Sequence, residues 1–147
     1  MSLTSKQIPI YPNTIDNSVG VLIAASAGDL ASELNAVTLK TAGADGTHVK
    51  SIIISTNEVA DRDYFIFIVS ADGSVLLPLG IVNVPTGSGS TSGINAVNAM
   101  ASIPGLSEDN QGKPYIKLKA DYMLKASCLT SMTAAKNTYF SVISNDF

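Results

Sequence analysis

The sequence predicts an all-β fold, a β-sandwich or jelly roll of about eight strands with one short helix and an extended N-terminal arm. Three observations support this class. Short runs rich in Val, Ile, Thr, Tyr and Phe recur roughly every 10–15 residues along the chain. Glycine-containing turns separate these runs, and no long stretch has apolar residues at helical intervals.

The N-terminal segment is predicted to be separate from the folded domain. We assign residues 1–18 to an extended arm and residues 19–147 to the β-sandwich domain, because Pro9 and Pro12 each force the preceding residue out of helical space. Four apolar side chains of the arm are candidate partner-binding residues: Ile8, Ile10, Tyr11 and Ile15. The alternative is that this segment packs on its own domain, since a terminus becomes ordered only when it is held in place.

The first third of the domain contains three predicted strands. Val19–Ala25 and Val37–Thr41 are apolar runs, and Gly28–Asn35 between them fits a helical turn or a loop. The glycines of 42–46 then favour a turn, because they tolerate positive φ. Thr47–Thr56 follows and is rich in β-branched residues, which is typical of a strand.

The centre of the chain predicts a hairpin. Tyr64–Ala71 begins with a continuous apolar run, so it presents apolar side chains on both faces of a strand. This indicates a central strand covered on each side. Asp72-Gly73 follows directly and predicts a two-residue type I′ turn. Ser74–Val84 is therefore the returning strand, and Pro78 within it predicts an edge position or a bulge.

The last part of the chain predicts one helix among loops and strands. Thr86–Gly93 has the composition of a flexible loop, and Ile94–Ile103 places apolar residues at helical intervals before the Pro104-Gly105 stop. Three strands complete the fold: Tyr115–Ala120, Met123–Thr130 and Thr138–Ser144.

The low content of charge is the main functional signal in the composition. Charged residues are 14% of the chain, whereas a typical soluble protein has about 25%. A surface of Ser, Thr, Asn and Ala repels a neighbouring protein only weakly, so we expect a homo-oligomer or a component of a larger assembly. The net charge of −3 and the scattered Lys and Arg residues argue against nucleic acid as a partner. We also expect no membrane span and no signal peptide.

The chemistry-bearing residues do not predict an enzyme. The chain has one His and one Cys, so we expect no catalytic residues, no cofactor and no metal site. Cys128 is expected to be a buried core thiol, and His48 a surface or interface residue. Asp61 and Asp63 flank Arg62, which favours a turn with a salt bridge over a calcium site. The Gly/Ser run lacks the Lys of a phosphate-binding loop, since Ile94 occupies that position.

Several segments are similar to those of a known class of structural proteins. They span about residues 37–147 and are Leu39–Thr47, Ser55–Asp63, Leu79-Gly80, Val84-Pro85, Ile103–Leu106, Asp109, Gly112 and Thr133–Lys136. In these segments the chain resembles the small virion structural proteins of tailed bacteriophages that accompany a major capsid protein. The resemblance implies a β-sandwich or jelly-roll fold and a place on the virus particle, and it implies no catalytic residues.

We therefore expect a capsid decoration or cement protein that binds and stabilises the assembled head. Its partner would be the major capsid protein, its own state a homo-oligomer such as a trimer, and its location the capsid surface after synthesis in the host cytoplasm. The alternative is a head or tail appendage that binds host-surface glycans. The absence of Trp counts against the alternative, because glycan-binding modules usually present Trp and Tyr platforms.

Overall fold

The computed structural model describes residues 14–23 and 35–147, and their regular structure is nearly all β. The strands in these two stretches are β1 (Thr14–Ile23), β2 (Val37–Thr41), β3 (Thr47–Thr56), β4 (Arg62–Val69), β5 (Leu76–Val84), β6 (Val97–Asn98), β7 (Ser107–Glu108), β8 (Pro114–Leu118), β9 (Met123–Cys128) and β10 (Asn137–Asp146). They form two antiparallel sheets that pack face to face, which confirms the predicted all-β sandwich.

Each sheet has a simple order. Sheet A contains six strands in the order β1-β10-β3-β8-β7, with β6 also paired to β3. Sheet B contains four strands in the order β2-β9-β4-β5. Because β10 lies between β1 and β3, strands from the two ends of the described chain and from its middle become neighbours in sheet A.

The core lies between the two sheets and follows the alternation of the strands. In β3, Val49, Ile52 and Ile54 are fully buried, and in β10 Phe140 and Val142 face the same way. Full burial of such a side chain contributes about 1.5–3 kcal/mol. The opposing layer comes mainly from β4 and β9, and it includes Cys128, which is buried as predicted and whose pKa is raised by burial.

Strand β4 is buried on both faces, as its sequence predicts. It lies between β9 and β5, and its Tyr64 and Ile66 enter the core between the sheets. Phe65, Phe67 and Val69 point to the outer side of sheet B and form a second buried cluster there. The rings of Phe65 and Phe67 stack with centroids 4.7 Å apart.

The β4–β5 hairpin is present, but its turn differs from the predicted type I′. The last strand pair is Val69 with Leu76, so six residues connect the strands, and Gly73 alone among them has positive φ, at 74°. The Asp72 carboxylate accepts hydrogen bonds from Ser70 Oγ at 2.6 Å and from the Ser74 backbone N–H at 3.0 Å. These bonds fix a longer loop and, led by the Ser70 bond, lower the pKa of Asp72 to about 2.

Pro78 lies where its missing N–H is tolerated. Strand β5 is the edge of sheet B, and the β4–β5 register shifts between Ile66 and Phe67, where Pro78 pairs with Phe67. Both predicted features, the edge position and the bulge, are therefore present.

The helix predicted at Ile94–Ile103 is reduced to a single 3-10 turn at Ala99–Ala101. The two residues before it, Val97 and Asn98, pair with Ile54 and Ile53 of β3 instead of entering a helix. The Asn98 side chain accepts a hydrogen bond from the Met100 N–H at 3.0 Å and so caps the turn. A helix of this length is marginal alone, and pairing with an existing sheet satisfies its backbone groups better.

The Gly/Ser loop (residues 86–93) is folded rather than flexible. The Gly87 carbonyl accepts hydrogen bonds from the N–H groups of Ser90 and Thr91, both at 3.0 Å, and Gly89 N–H donates to the Ile94 carbonyl at 2.7 Å. Gly89 has φ of 70°, and a Cβ there would lie 2.7 Å from Ser55 Oγ. Glycine is therefore required where this loop packs on β3, and composition alone does not indicate that packing.

Strand β1 begins earlier than the sequence predicts, at Thr14 instead of Val19. Residues 14–18, which belong to the predicted arm, pair with β10 of the same chain. Residues 1–13 and 24–34 lie outside the described residues. They include most of the predicted arm, the end of Val19–Ala25 and nearly all of Gly28–Asn35.

Candidate functional site

Of the predicted partner-binding residues, Ile15 is the one that the structure describes. It lies on β1 and 71% of it is exposed. Ile8, Ile10 and Tyr11 lie outside the described residues, so their role stays a prediction.

The outer face of sheet A presents a continuous set of side chains around Ile15. In β1, β10 and the middle of β3, every second residue points away from the core, and the strand registers place these residues opposite one another. We call this set the outer patch; it consists of Ile15, Asn17, Val19, Val21, Tyr139, Ser141, Ile143, Asn145, Ser51 and Ile53.

The outer patch contains no Asp, Glu, Lys, Arg or His. Its large apolar residues are well exposed: 61% of Val19, 43% of Tyr139 and 44% of Ile143. Single exposed apolar residues are ordinary on a protein surface, but a contiguous apolar group without charge marks an interaction site. The small Ser and Asn side chains between them leave the face flat enough for close packing.

Charges on β1 and β10 are turned away from the outer patch. Lys40 of β2 is 7% exposed, and its Nζ lies 2.7 Å from Asp16 Oδ2 and 2.8 Å from Asp146 Oδ2. Burial opposes the charge of the ammonium group, but hydrogen bonds to Asp146 and Asp16 outweigh it and raise the pKa of Lys40. The same contact lowers the pKa of Asp16. This cluster ties β1 to β10 and to the opposite sheet.

A second ion cluster joins the β3–β4 loop to the β9–β10 loop and to the start of β4, at the other end of the sandwich. The buried Glu58 carboxylate accepts hydrogen bonds from the Thr133 N–H at 2.7 Å and Thr133 Oγ1 at 2.8 Å, and from Arg62 Nε at 3.3 Å. Burial acts to raise the pKa of Glu58, but these bonds and the Arg62 charge lower it. Arg62 thus pairs with Glu58 and not with the flanking aspartates of the predicted turn.

The flanking aspartates each bind a neighbouring segment. Asp61 Oδ1 accepts a hydrogen bond from the Thr86 N–H at 2.8 Å, and Asp63 Oδ1 accepts one from Asn83 Nδ2 at 2.8 Å. Their carboxylates therefore hold loop and strand contacts, and within the part of the chain that the structure describes no group of three or more His, Cys, Asp or Glu could hold a metal ion.

An open groove of about 580 Å³ borders the outer patch at one end of sheet A. Its lining includes Asp45, His48, Lys117 and Phe147. The His48 ring lies between two aromatic rings, with centroids 4.5 Å from Tyr115 and 4.6 Å from Phe147. Burial, then the Lys50 and Lys117 charges, lower the pKa of His48.

Comparison of the chain with protein-family models, with curated proteins and with solved structures finds no match. Among residues 14–23 and 35–147, no helix is long and apolar enough to cross a membrane. Function therefore has to be inferred from the surfaces themselves, and the outer patch is the most extensive candidate among them.

Sequence reasoning identified one member of the outer patch, Ile15. The alternation of Thr138–Ser144 was visible, and so was the β-branched run of Thr47–Thr56. The missing information was the order of the strands, because β1, β10 and β3 are far apart in sequence and become neighbours only in sheet A. The available signal was the sequence Ile15-Asp-Asn-Ser-Val19, which in a strand places Ile15 and Val19 on one face and Asp16 on the other.

Proposed function

We propose that this chain is a structural protein of a virus particle, a capsid decoration or cement protein that binds the assembled shell through the outer patch. The observation that supports the proposal most strongly is the uncharged outer patch of sheet A with its exposed apolar side chains. The virion setting rests on the resemblance of residues 37–147 to small bacteriophage structural proteins. The expected partner is the major capsid protein.

The outer patch suits attachment to a large, repeated surface. The outer patch runs from Ile15 to Val21 in β1 and from Tyr139 to Asn145 in β10, which is seven residues in each strand. At about 3.4 Å per residue and 4.8 Å between strands, its flat footprint across three strands is about 24 Å by 14 Å, or about 340 Å². A standard interface buries about 800 Å² on each partner, so one patch alone gives a weak contact. Many copies on one shell add such contacts.

The proposed mechanism is stabilisation by linkage. A protein that binds the assembled shell but not its free subunits stabilises the shell by RT ln(1 + [L]/Kd). No moving part and no reacting group is needed for this effect. It agrees with ion clusters that stabilise the fold, as Glu58 does by binding both Arg62 and Thr133.

Binding to shells built from the accompanying major capsid protein tests the proposal. Purified chain is mixed with empty shells and co-sedimented, and the bound fraction is measured against concentration. Ile143→Lys in the outer patch is expected to weaken binding at least tenfold, because a lysine would have to lose its water in the contact.

Val75→Lys is the matched control. Val75 is as exposed as Ile143, at 44%, and lies in the β4–β5 loop away from sheet A. This variant is expected to bind shells like the unmodified chain. Equal binding by Ile143→Lys and the unmodified chain, or no binding of the unmodified chain to any shell, would contradict the proposal.

The aromatic groove supports glycan binding as a second candidate function. Sugars bind through stacking on aromatic rings together with hydrogen bonds to polar groups. The groove is lined by the rings of Phe147 and His48 and by the polar Asp45 and Lys117, and Tyr115 supports the His48 ring from behind the lining. A glycan array with the unmodified chain tests this function. A specific signal that Tyr115→Ala abolishes would favour it, and a blank array would exclude it.

A further inference from the structure

Exposed strand edges attract other strands, and four of the five edge strands in the described residues are protected against this. Strands β6 and β7 have two residues each. Strand β2 has five residues and a register shift between Thr38 and Lys40. Strand β5 contains Pro78 and pairs with β4 through a second register shift. Short length, bulges, lysine and proline are the usual means of blocking edge-to-edge pairing.

Strand β1 is the fifth edge strand, and it lacks all of these features. It has ten residues, from Thr14 to Ile23, and contains neither Lys nor Pro. Its register with β10 runs without a shift from Thr14–Asp146 to Ile23–Asn137. Its one charged residue, Asp16, is paired with Lys40. Within the described residues, no strand pairs with its other side.

We propose that two copies of this chain pair through their β1 edges, antiparallel, so that the two A sheets form one continuous sheet across a twofold axis. The pairing rests on the β1 edge alone and does not depend on attachment to a capsid shell. It replaces the trimer expected from the sequence with a dimer.

The sequence of β1 is compatible with its own antiparallel copy. With Ser18 opposite Ser18 of the second copy, Ile15 faces Val21 and Asn17 faces Val19 on the outer side. Residues 14–22 then overlap, and a ladder of this length has about nine backbone hydrogen bonds, near the about ten of a typical interface. A shift of two residues places Val19 opposite Val19 and keeps apolar residues on the same side.

The twofold axis of such a pair is perpendicular to the sheet, so both outer patches lie on the same side of the dimer. Their combined flat footprint is about 680 Å², twice that of one patch and close to the about 800 Å² of a standard partner surface. Pairing of β1 therefore converts two weak contact surfaces into one that approaches the ordinary size.

Sedimentation equilibrium of the purified chain, without any shell, tests the pairing. The expected mass is twice the 15.2 kDa of one chain. Val19→Lys and Val19→Asp are each expected to weaken the dimer at least tenfold, since like charges would lie about 5–8 Å apart across the axis. An equal mixture of the two variants is expected to form the dimer again through opposite charges.

Ile143→Lys is the control, because β10 is one strand away from the edge. Two lysines at this position would be separated by three strand spacings, about 14 Å, which exceeds the Debye length of about 8 Å at physiological salt. This variant is expected to remain a dimer. A monomer or trimer for the unmodified chain, an unaffected dimer in both Val19 variants, or a dimer lost in Ile143→Lys would overturn the proposal.

The sedimentation equilibrium experiment contains no shells, so it tests dimer formation independently of shell binding. Either proposal can therefore fail without the other. Val19 is 61% exposed, so its variants keep the fold, and far-ultraviolet circular dichroism confirms this before sedimentation. If Val59→Lys, which alters a residue 64% exposed outside sheet A, weakened the dimer as much as Val19→Lys does, a general charge effect would explain the loss and the edge pairing would be wrong.

Discussion

The two outer faces of the sandwich use their apolar residues in opposite ways. On sheet B, Phe65 and Phe67 of β4 are 1% and 0% exposed beneath side chains of their own chain. On sheet A, Ile15 and Val19 of β1 are 71% and 61% exposed. Both faces come from the same alternation of strands, so the difference lies in what covers them: the domain covers Phe65 and Phe67 with its own residues and leaves the outer patch of sheet A exposed.

The charged residues follow the same division. Sheet B places Asp63 and Lys125 on its outer side, where they are opposite Asn83 and Phe67 in the registers of β5 and β4. Sheet A turns Asp16 and Asp146 away from its outer patch and toward Lys40. The outer patch carries no charge, so removing water from it costs less free energy than removing water from a charged surface.

The largest expected effect comes from removing a ring from the covered face. Phe67→Ala is expected to lower the free energy of unfolding by about 3–5 kcal/mol, because it leaves a cavity in the outer cluster of sheet B. Val19→Ala on the exposed face is expected to change it by less than about 0.5 kcal/mol. Urea unfolding followed by circular dichroism measures both, and similar losses for the two variants would show that the faces do not differ.

An intermediate effect is expected from the cluster that holds β1. Lys40→Met removes the ammonium group between Asp16 and Asp146 and is expected to cost about 1–2 kcal/mol, because both carboxylates are partly exposed and regain water. Hydrogen exchange should show the loss first in the amides of β1. Unchanged exchange in β1 would mean that backbone pairing with β10 alone holds this strand.

A smaller effect is expected from pH. The pKa of Glu58 is below its ordinary value of 4.5, so its contribution to stability is present above about pH 4.5 and is lost as the pH falls through the folded-state pKa. The free energy of unfolding of the unmodified chain is expected to decrease over this acid range, and Glu58→Gln is expected to decrease less. A parallel decrease in both would place the acid sensitivity in other carboxylates.

Much of the fold could be predicted from local pattern. The alternation in β10, the two-sided apolar run of β4 and the Pro in β5 each have a physical meaning that does not depend on distant residues. The prediction of a helix at Ile94–Ile103 was wrong. The spacing of its apolar residues is also compatible with pairing to β3, and that tertiary contact outweighs a weak local preference for helix.

The candidate site could be predicted only in part. Ile15 was selected for its apolar character, but the outer patch depends on β1 and β10 being neighbours and on the inward turn of Asp16 and Asp146. Strand order and the direction of a charged side chain are properties of the assembled sandwich. No window of sequence contains them.

The most direct test of the account is side-chain footprinting by hydroxyl radicals, applied to the chain alone and to the chain bound on shells. Tyr139 and Ile143 of the outer patch are expected to lose most of their oxidation on binding, while Val75 of the β4–β5 loop and Leu77 of β5, which are 44% and 45% exposed, keep theirs. Protection of Val75 and Leu77 with Tyr139 and Ile143 still oxidised would contradict the assignment of the outer face of sheet A as the binding surface.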